Sequence, residues 1–267
     1  METNNGYIIT GGAEGKQRLN TLSEVMYPYT RSLLLSEGLG LCMSFFDVGC
    51  GGGNVSRMVA EIVGENGRVT AVDFDEHIIT LNKQETRDPG VADIRYQSMS
   101  AYEINYRDEF DFAYARFLLS HLTEPLNVLK RMVDSVKPAG KVIVEDIHFD
   151  GHFSHPNSDA FNEYVRLFIA AAEQRGQNAN IGPLLPVLFD DAGIRNVQFD
   201  VIQPVFKTGE GKWMAHITMD KIKDAVISQG FASADMIQSL LEHLERFTKD
   251  EQTLISLPRI FRVSGVK

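Results

Sequence analysis

Two cysteines and one tryptophan in 267 residues leave no basis for a disulfide framework. Cys42 and Cys50 lie either side of one apolar segment, with no paired-thiol spacing for a metal. No apolar run approaches the roughly 18 residues of a membrane span, so none is expected. The chain opens without a charged n-region, an apolar h-region or a cleavage site, and a reduced, cytoplasmic protein is the expectation. Cations are also scarce: 26 Lys and Arg face 36 Asp and Glu, a formal charge of −10. Phosphate backbones are held by clustered cations, which are absent here, so no nucleic-acid partner is expected. Neither Gly-x-Ser-x-Gly nor a Ser-His-Asp arrangement occurs, and acyl hydrolysis has no support.

What the chain does have is a glycine cluster behind an acid. Phe45-Phe46-Asp47-Val48-Gly49-Cys50-Gly51-Gly52-Gly53-Asn54 runs into Val55, Met58, Val59, Ile62 and Val63, the spacing of one helix face. The segment therefore reads as strand, tight turn and helix. Its glycines allow a ligand close to the main chain, and the helix start offers unpaired N–H groups. A second strand, Arg68 to Asp73, ends in an acid roughly 20 residues on, where a doubly wound fold places the carboxylate that grips a ribose. A nicotinamide dinucleotide loop would need a third glycine, and the two registers put Asn54 or Ser56 there.

Alternation continues through a helix over Glu76–Arg87, strands at Ile94–Gln97 and Phe110–Ala115, and a helix over Pro125–Val136. A turn at Lys137–Gly140 and a strand at Lys141–Asp146 follow. Nearly continuous apolar strands alternating with helices imply a parallel sheet covered on both faces. Later segments read as helices over Ser158–Arg175 and Leu184–Ala192, a strand over Val197–Val205, helices over Lys212–Ser228 and Ser233–Phe247, and a last strand at Arg259–Val263. Ahead of the glycine cluster, Leu22, Val25, Met26, Leu33 and Leu34 predict a helix or helix pair interrupted near Pro28.

Asp47-Val-Gly-Cys-Gly-Gly-Gly53 followed by Val69-Thr-Ala-Val-Asp73 resembles motifs I and II of the class I S-adenosylmethionine-dependent methyltransferases. The likeness extends through Phe110–Arg116, Leu129–Val133 and Val136–Lys141 in the same order. It implies an α/β fold with a doubly wound, mostly parallel seven-stranded sheet, helices on both faces and a helical cap. On that basis residues 41–207 with 253–267 form a Rossmann-like core carrying a helical insertion near 150–180. Residues 1–40 form an N-terminal helical cover over the cofactor, and 208–252 a helical cap insertion. The added helices serve as a lid or, alternatively, as a homodimer surface.

The resemblance also implies transfer of a methyl group from S-adenosylmethionine to a small-molecule acceptor, with S-adenosylhomocysteine as product. Asp73 would take the ribose hydroxyls and Phe74 the adenine face. Gly49, Gly51, Asp47 and Arg116 would meet the methionine end. Ser100 falls where the family commonly has an acid for the adenine amino group, flanked by Met99 and Ala101. Tyr7 and Arg18 match a segment that folds over the cofactor, the alternatives being a packed aromatic residue and a solvated charge. His121 and His148 are the candidate general bases, against the alternative of structural histidines bonded to carbonyls. His148, His152 and His155 share one stretch but lack a paired carboxylate, and no metal is assigned. Phe117, Phe153, Phe168, Trp213 and Met214 are candidate acceptor walls. A sensor that binds the cofactor without turnover, and a nicotinamide oxidoreductase, are the competing readings.

Overall fold

A computed structural model describes residues 13–85 and 89–267, with side chains from Thr21 onward. The first half runs α1 (Ala13–Ser36), β1 (Ser44–Val48), α2 (Asn54–Val63), β2 (Arg68–Asp73), α3 (Glu76–Lys83), β3 (Asp93–Ser98), β4 (Phe110–Arg116), α4 (Pro125–Ser135) and β5 (Val136–His148). The second runs β6 (Ser154–His155), α5 (Asp159–Glu173), α6 (Leu185–Asp191), β7 (Arg195–Ile202), β8 (Val205–Phe206), α7 (Met214–Ser228), α8 (Ala234–Lys249), β9 (Leu254–Ser256) and β10 (Arg259–Val266). Seven strands form one sheet in the order β3-β2-β1-β4-β5-β10-β7. Strands β1 to β5 pair in parallel, and β10 runs antiparallel to both β5 and β7. The order reverses between β1 and β4, and in such sheets ligands lie outside the carboxyl ends at that switch point.

Alternation along β1 feeds two cores. Phe45 packs beside Phe112 and Tyr114 on the face covered by α1 and α2, where Leu33, Leu34, Val55 and Val59 are buried. Phe46 turns to the other face, stacked on Phe110 at 4.8 Å and edge-on to Tyr106 at 5.2 Å, over Leu129 of α4 and Phe189 of α6. Burial on both faces explains why this strand shows no polar alternation. A third apolar layer joins α5, α7 and α8 to Ile147, Phe149 and Ile260, at the carboxyl end of β5 and the start of β10. Ser158 and Ser233 cap α5 and α8, accepting the Phe161 and Met236 N–H groups.

Four local expectations need correcting. Helix α1 passes through Pro28 without a break; Pro28 lies on its exposed side, where losing one N–H need not end the helix. Strand β5 starts at Val136, and the expected turn at Lys137–Gly140 is a register shift within the β4–β5 pairing. Helix α3 stops at Lys83. The strand expected over Val197–Val205 ends at Ile202, and Val205 and Phe206 join a separate sheet of order β6-β9-β8. Pro204 cannot donate to a ladder, and the Gln203 amide donates instead to the Gly151 and Leu257 carbonyls, at 2.6 and 3.1 Å.

Phe46→Ala should cost about 3–5 kcal/mol by equilibrium denaturation, since it empties a fully buried aromatic stack. A loss below about 1 kcal/mol would mean that the two faces do not pack as described.

Candidate active site

The glycine loop is shaped by two strands and one carboxylate. Gly49 and Cys50 both donate their N–H groups to the Val72 carbonyl, at 2.8 and 3.0 Å. Gly51 donates to Asp73 Oδ2 at 2.9 Å, while Asp73 Oδ1 accepts the Asp75 N–H at 3.0 Å. Asp73 thus ties the loop after β1 to the turn after β2. Gly49 (φ +71°) and Gly53 (φ +74°) sit in the left-handed region, and side chains there would also meet Leu118 at 3.0 Å and the Tyr96 hydroxyl at 2.6 Å. Asn82 completes the frame from α3, donating to the Gly51 carbonyl at 2.7 Å.

Asp47 lies under the loop, 2% exposed. Ser56, at the position a dinucleotide loop reserves for glycine, donates to Asp47 Oδ2 at 2.5 Å. Burial pushes the Asp47 carboxyl up to about 6, helped by the Asp73 charge and opposed by the Ser56 bond and the Arg116 guanidinium. Burial also raises Asp73, against the pull of the Asp75 and Gly51 amides.

Another buried acid holds α1 against the sheet. Glu145, fully buried in β5, accepts the Thr30 hydroxyl at 2.7 Å and the Tyr114 hydroxyl at 3.3 Å. Arg116 reaches the same helix, donating to Thr30 Oγ1 at 3.1 Å and Ser23 Oγ at 2.9 Å. The side chain of Arg116 therefore meets hydroxyls of α1 and not a carboxylate of the helical cap. Next to it Phe117 takes φ +54°, strained for a residue with a side chain, with its N–H donated to the Glu145 carbonyl at 2.8 Å. Asp146 accepts the Ser120 N–H at 3.1 Å and so fixes the turn Leu119–His121.

Several of the groups described above border one cavity of about 390 Å³, inside the roughly 300–1,000 Å³ usual for small-molecule sites. Asp47, Gly49, Gly51, Asp73, Phe74, Arg116 and His121 all line it. Phe74 leaves half its surface exposed there. The remaining wall is largely apolar and drawn from β5, α5, α7, the segment before β10 and the start of β10, with Ile147, Phe168, Met214, Leu257 and Ile260 among its residues. Of the expected acceptor walls, Phe117, Phe168 and Met214 are present, whereas Phe153 and Trp213 are not.

Met99, Ser100 and Ala101 are not part of the cavity lining. Met99 donates its N–H to the Asp73 carbonyl at 2.9 Å, and Ser100 Oγ caps the turn after it by accepting the Tyr102 N–H. His148 is likewise outside the lining, its ring 6.3 Å from that of Phe261. His152 is the histidine that follows β5 into the cavity, and His155 lies exposed in β6. Among the described residues no three candidate ligands gather as a metal site. Tyr7 and the Arg18 side chain lie outside the described residues. Sequence reasoning missed Glu145 and Asp146, although two acids ending the run Val142-Ile143-Val144 are a visible signal.

A methyltransferase domain model matches residues 46–144. The demethylmenaquinone methyltransferase of Bacillus subtilis is 26% identical over 171 residues, covering 57% of this chain and 71% of that one. The Bacillus cereus protein of the same name is 35% identical over 98 residues, covering 36% of this chain and 41% of that one. The YcgJ protein of Bacillus subtilis shares the fold with a TM-score of 0.59 at 15% identity, covering 90% of this chain and 98% of that structure. A methyltransferase from Aquifex aeolicus gives 0.53 at 22% identity, over 72% and 93% of the two chains. With these motifs in register on a seven-stranded sheet of this order, residues 46–144 form a methyltransferase domain of the class I, S-adenosylmethionine-dependent type. Its cofactor is S-adenosylmethionine and its reaction a methyl transfer.

Ser56→Ala removes a bond that favours the ionised Asp47. The carboxyl should then titrate above its value of about 6, by about one unit, in a carbon NMR pH titration. An unchanged or lower midpoint would show that Ser56 does not hold Asp47.

Proposed function

We infer that the enzyme methylates a small, largely apolar acceptor enclosed between the sheet end and the helices α5 and α7. One observation carries the reading: a single cavity is bordered at once by Asp73, Gly49 and Gly51 and by the apolar wall. When bound, S-adenosylmethionine supplies a methyl group on a cationic sulfur, open to in-line displacement by a nucleophile. The protein's part is then placement and exclusion of water, and orientation of that kind contributes roughly 7–11 kcal/mol to such reactions.

Each wall residue has a task under this reading. Asp73 accepts backbone N–H groups on both oxygens and keeps remaining lone pairs for the ribose hydroxyls. Phe74 offers its exposed ring to the adenine, with Met99, Ser100 and Ala101 at the far edge of the base. The backbone of Gly49, Gly51 and Arg116 meets the amino acid end. Asp47, ionised above about 6, bonds the amino group directly or through water. His121 borders the cavity and is the proton acceptor favoured for acceptors that must lose a proton, whereas His148 lies outside it.

The relatives' name points to demethylmenaquinone, and an apolar molecule suits this wall. Family matching stops at residue 144, however, ahead of Ile147 and every later wall residue. The acceptor is accordingly assigned by the cavity's chemistry alone.

Asp73→Ala should weaken S-adenosylhomocysteine binding by about 10- to 150-fold in calorimetry, the worth of hydrogen bonds to a charged group. Binding within about twofold of the unsubstituted protein would remove Asp73 from the cofactor site.

A further inference from the structure

His152 holds its imidazole in a defined state. It follows the short turn Phe149–Gly151, and its Nδ1 lies 3.0 Å from the Phe149 carbonyl oxygen. A carbonyl offers only lone pairs, so the proton of this bond sits on Nδ1. Burial keeps the ring neutral, pushing its pKa down to about 3. A neutral imidazole with its proton on Nδ1 presents a bare lone pair at Nε2. The rings of Phe149, Phe161 and Tyr164 hold it edge-on at 4.4, 5.7 and 6.0 Å, which fixes its plane.

His152 lines the cavity. Among the described residues nothing bonds its Nε2. That atom is also not sealed in, unlike Nδ1 of His148, which is buried without a partner. The same cavity is lined by Ile147, Met214 and the rings of Phe149 and Phe168, which are stacked at 3.8 Å. An acceptor here loses its water and meets mostly apolar surface, with one fixed lone pair on His152 and the Tyr164 and Thr218 side chains also on the lining. A carboxylate or phosphate would set its own lone pairs against that one and find no donor in it.

We propose that His152 selects the methyl acceptor: Nε2, exposed to the cavity with its proton fixed on the opposite nitrogen, accepts a hydrogen bond from an O–H or N–H on a neutral, otherwise apolar molecule. Phenol- and indole-type compounds fit; carboxylates, phosphates and analogues without a donor do not. The assignment rests on the acceptor occupying the apolar part of the cavity. It makes His152 a hydrogen-bond acceptor that fixes the donor group's position, a role separate from proton removal.

The test uses the full chain with S-adenosylhomocysteine and three matched pairs: phenol and anisole, indole and N-methylindole, 1-naphthol and 1-methoxynaphthalene. In at least one pair the donor-bearing member should bind about tenfold tighter by NMR titration, the worth of one buried hydrogen bond. His152→Phe should bring that pair within about twofold while S-adenosylhomocysteine affinity is kept; His152→Gln, which retains an acceptor oxygen, should keep the preference. Independently, long-range proton–nitrogen NMR on the unliganded chain should find His152 neutral with its proton on Nδ1 between about pH 5.5 and 8, a readout that holds even if His152→Phe fails to fold. Equal binding in every pair, no binding by any of the six, a preference surviving in His152→Phe, or a proton on Nε2 would each overturn the proposal. Failure of S-adenosylhomocysteine to bind the unsubstituted protein would count against the cofactor placement instead, and the tautomer and the pairs titrated alone would still decide the role of His152.

Discussion

The bond from the Gly51 N–H to the Asp73 carboxylate, 2.9 Å long, is the constraint on which the site depends. It joins the loop after β1 to the tip of β2, so the position of one fixes the other. The same carboxylate holds the Asp75 amide, and Asp75 in turn caps α3 through the His77 and Ile78 N–H groups. Two strand ends and a helix start are thus registered by two short side chains. Burial makes this costly for Asp73, whose pKa rises, and the amides it accepts offset part of that cost.

A parallel arrangement secures the other side of the cavity. Glu145, buried at the end of β5, gathers hydroxyls from α1 and β4, and Arg116 bonds back to α1. Beside it Asp146 fixes the turn that carries His121. Adjacent residues of one strand therefore face opposite ways and set two walls of the same cavity, a consequence of the two-residue period of a strand. The strained Phe117 lies between them, where β4 ends, its backbone held by the Glu145 carbonyl.

The parts of this arrangement that lie close in sequence were legible there. Asp47, the glycines and Asp73 sit within two neighbouring strand–turn units, and hydrophobic period and turn chemistry suffice to order them. The acceptor wall was not, because Ile147, Phe168, Met214 and Ile260 come from elements scattered over more than a hundred residues, and an apolar residue does not announce which cavity it borders. The choice between His148 and His152 turned on a single short turn after β5. Ser100 shows a different limit: a serine at a strand end suits a ligand and a cap equally, and here it caps. The second sheet escaped because its strands are two or three residues long and pair only through tertiary contacts.

Placement of the cofactor is the claim that the acceptor assignment, the role of Asp47 and the reading of the apolar wall all share. Its most direct test is a crystal structure with S-adenosylhomocysteine bound. The account expects both ribose hydroxyls on the Asp73 carboxylate, the amino acid end across Gly49 and Gly51, and the sulfur facing the space bordered by His152 and Phe168. Density for the ligand elsewhere, or Asp73 turned away from the ribose, would contradict it.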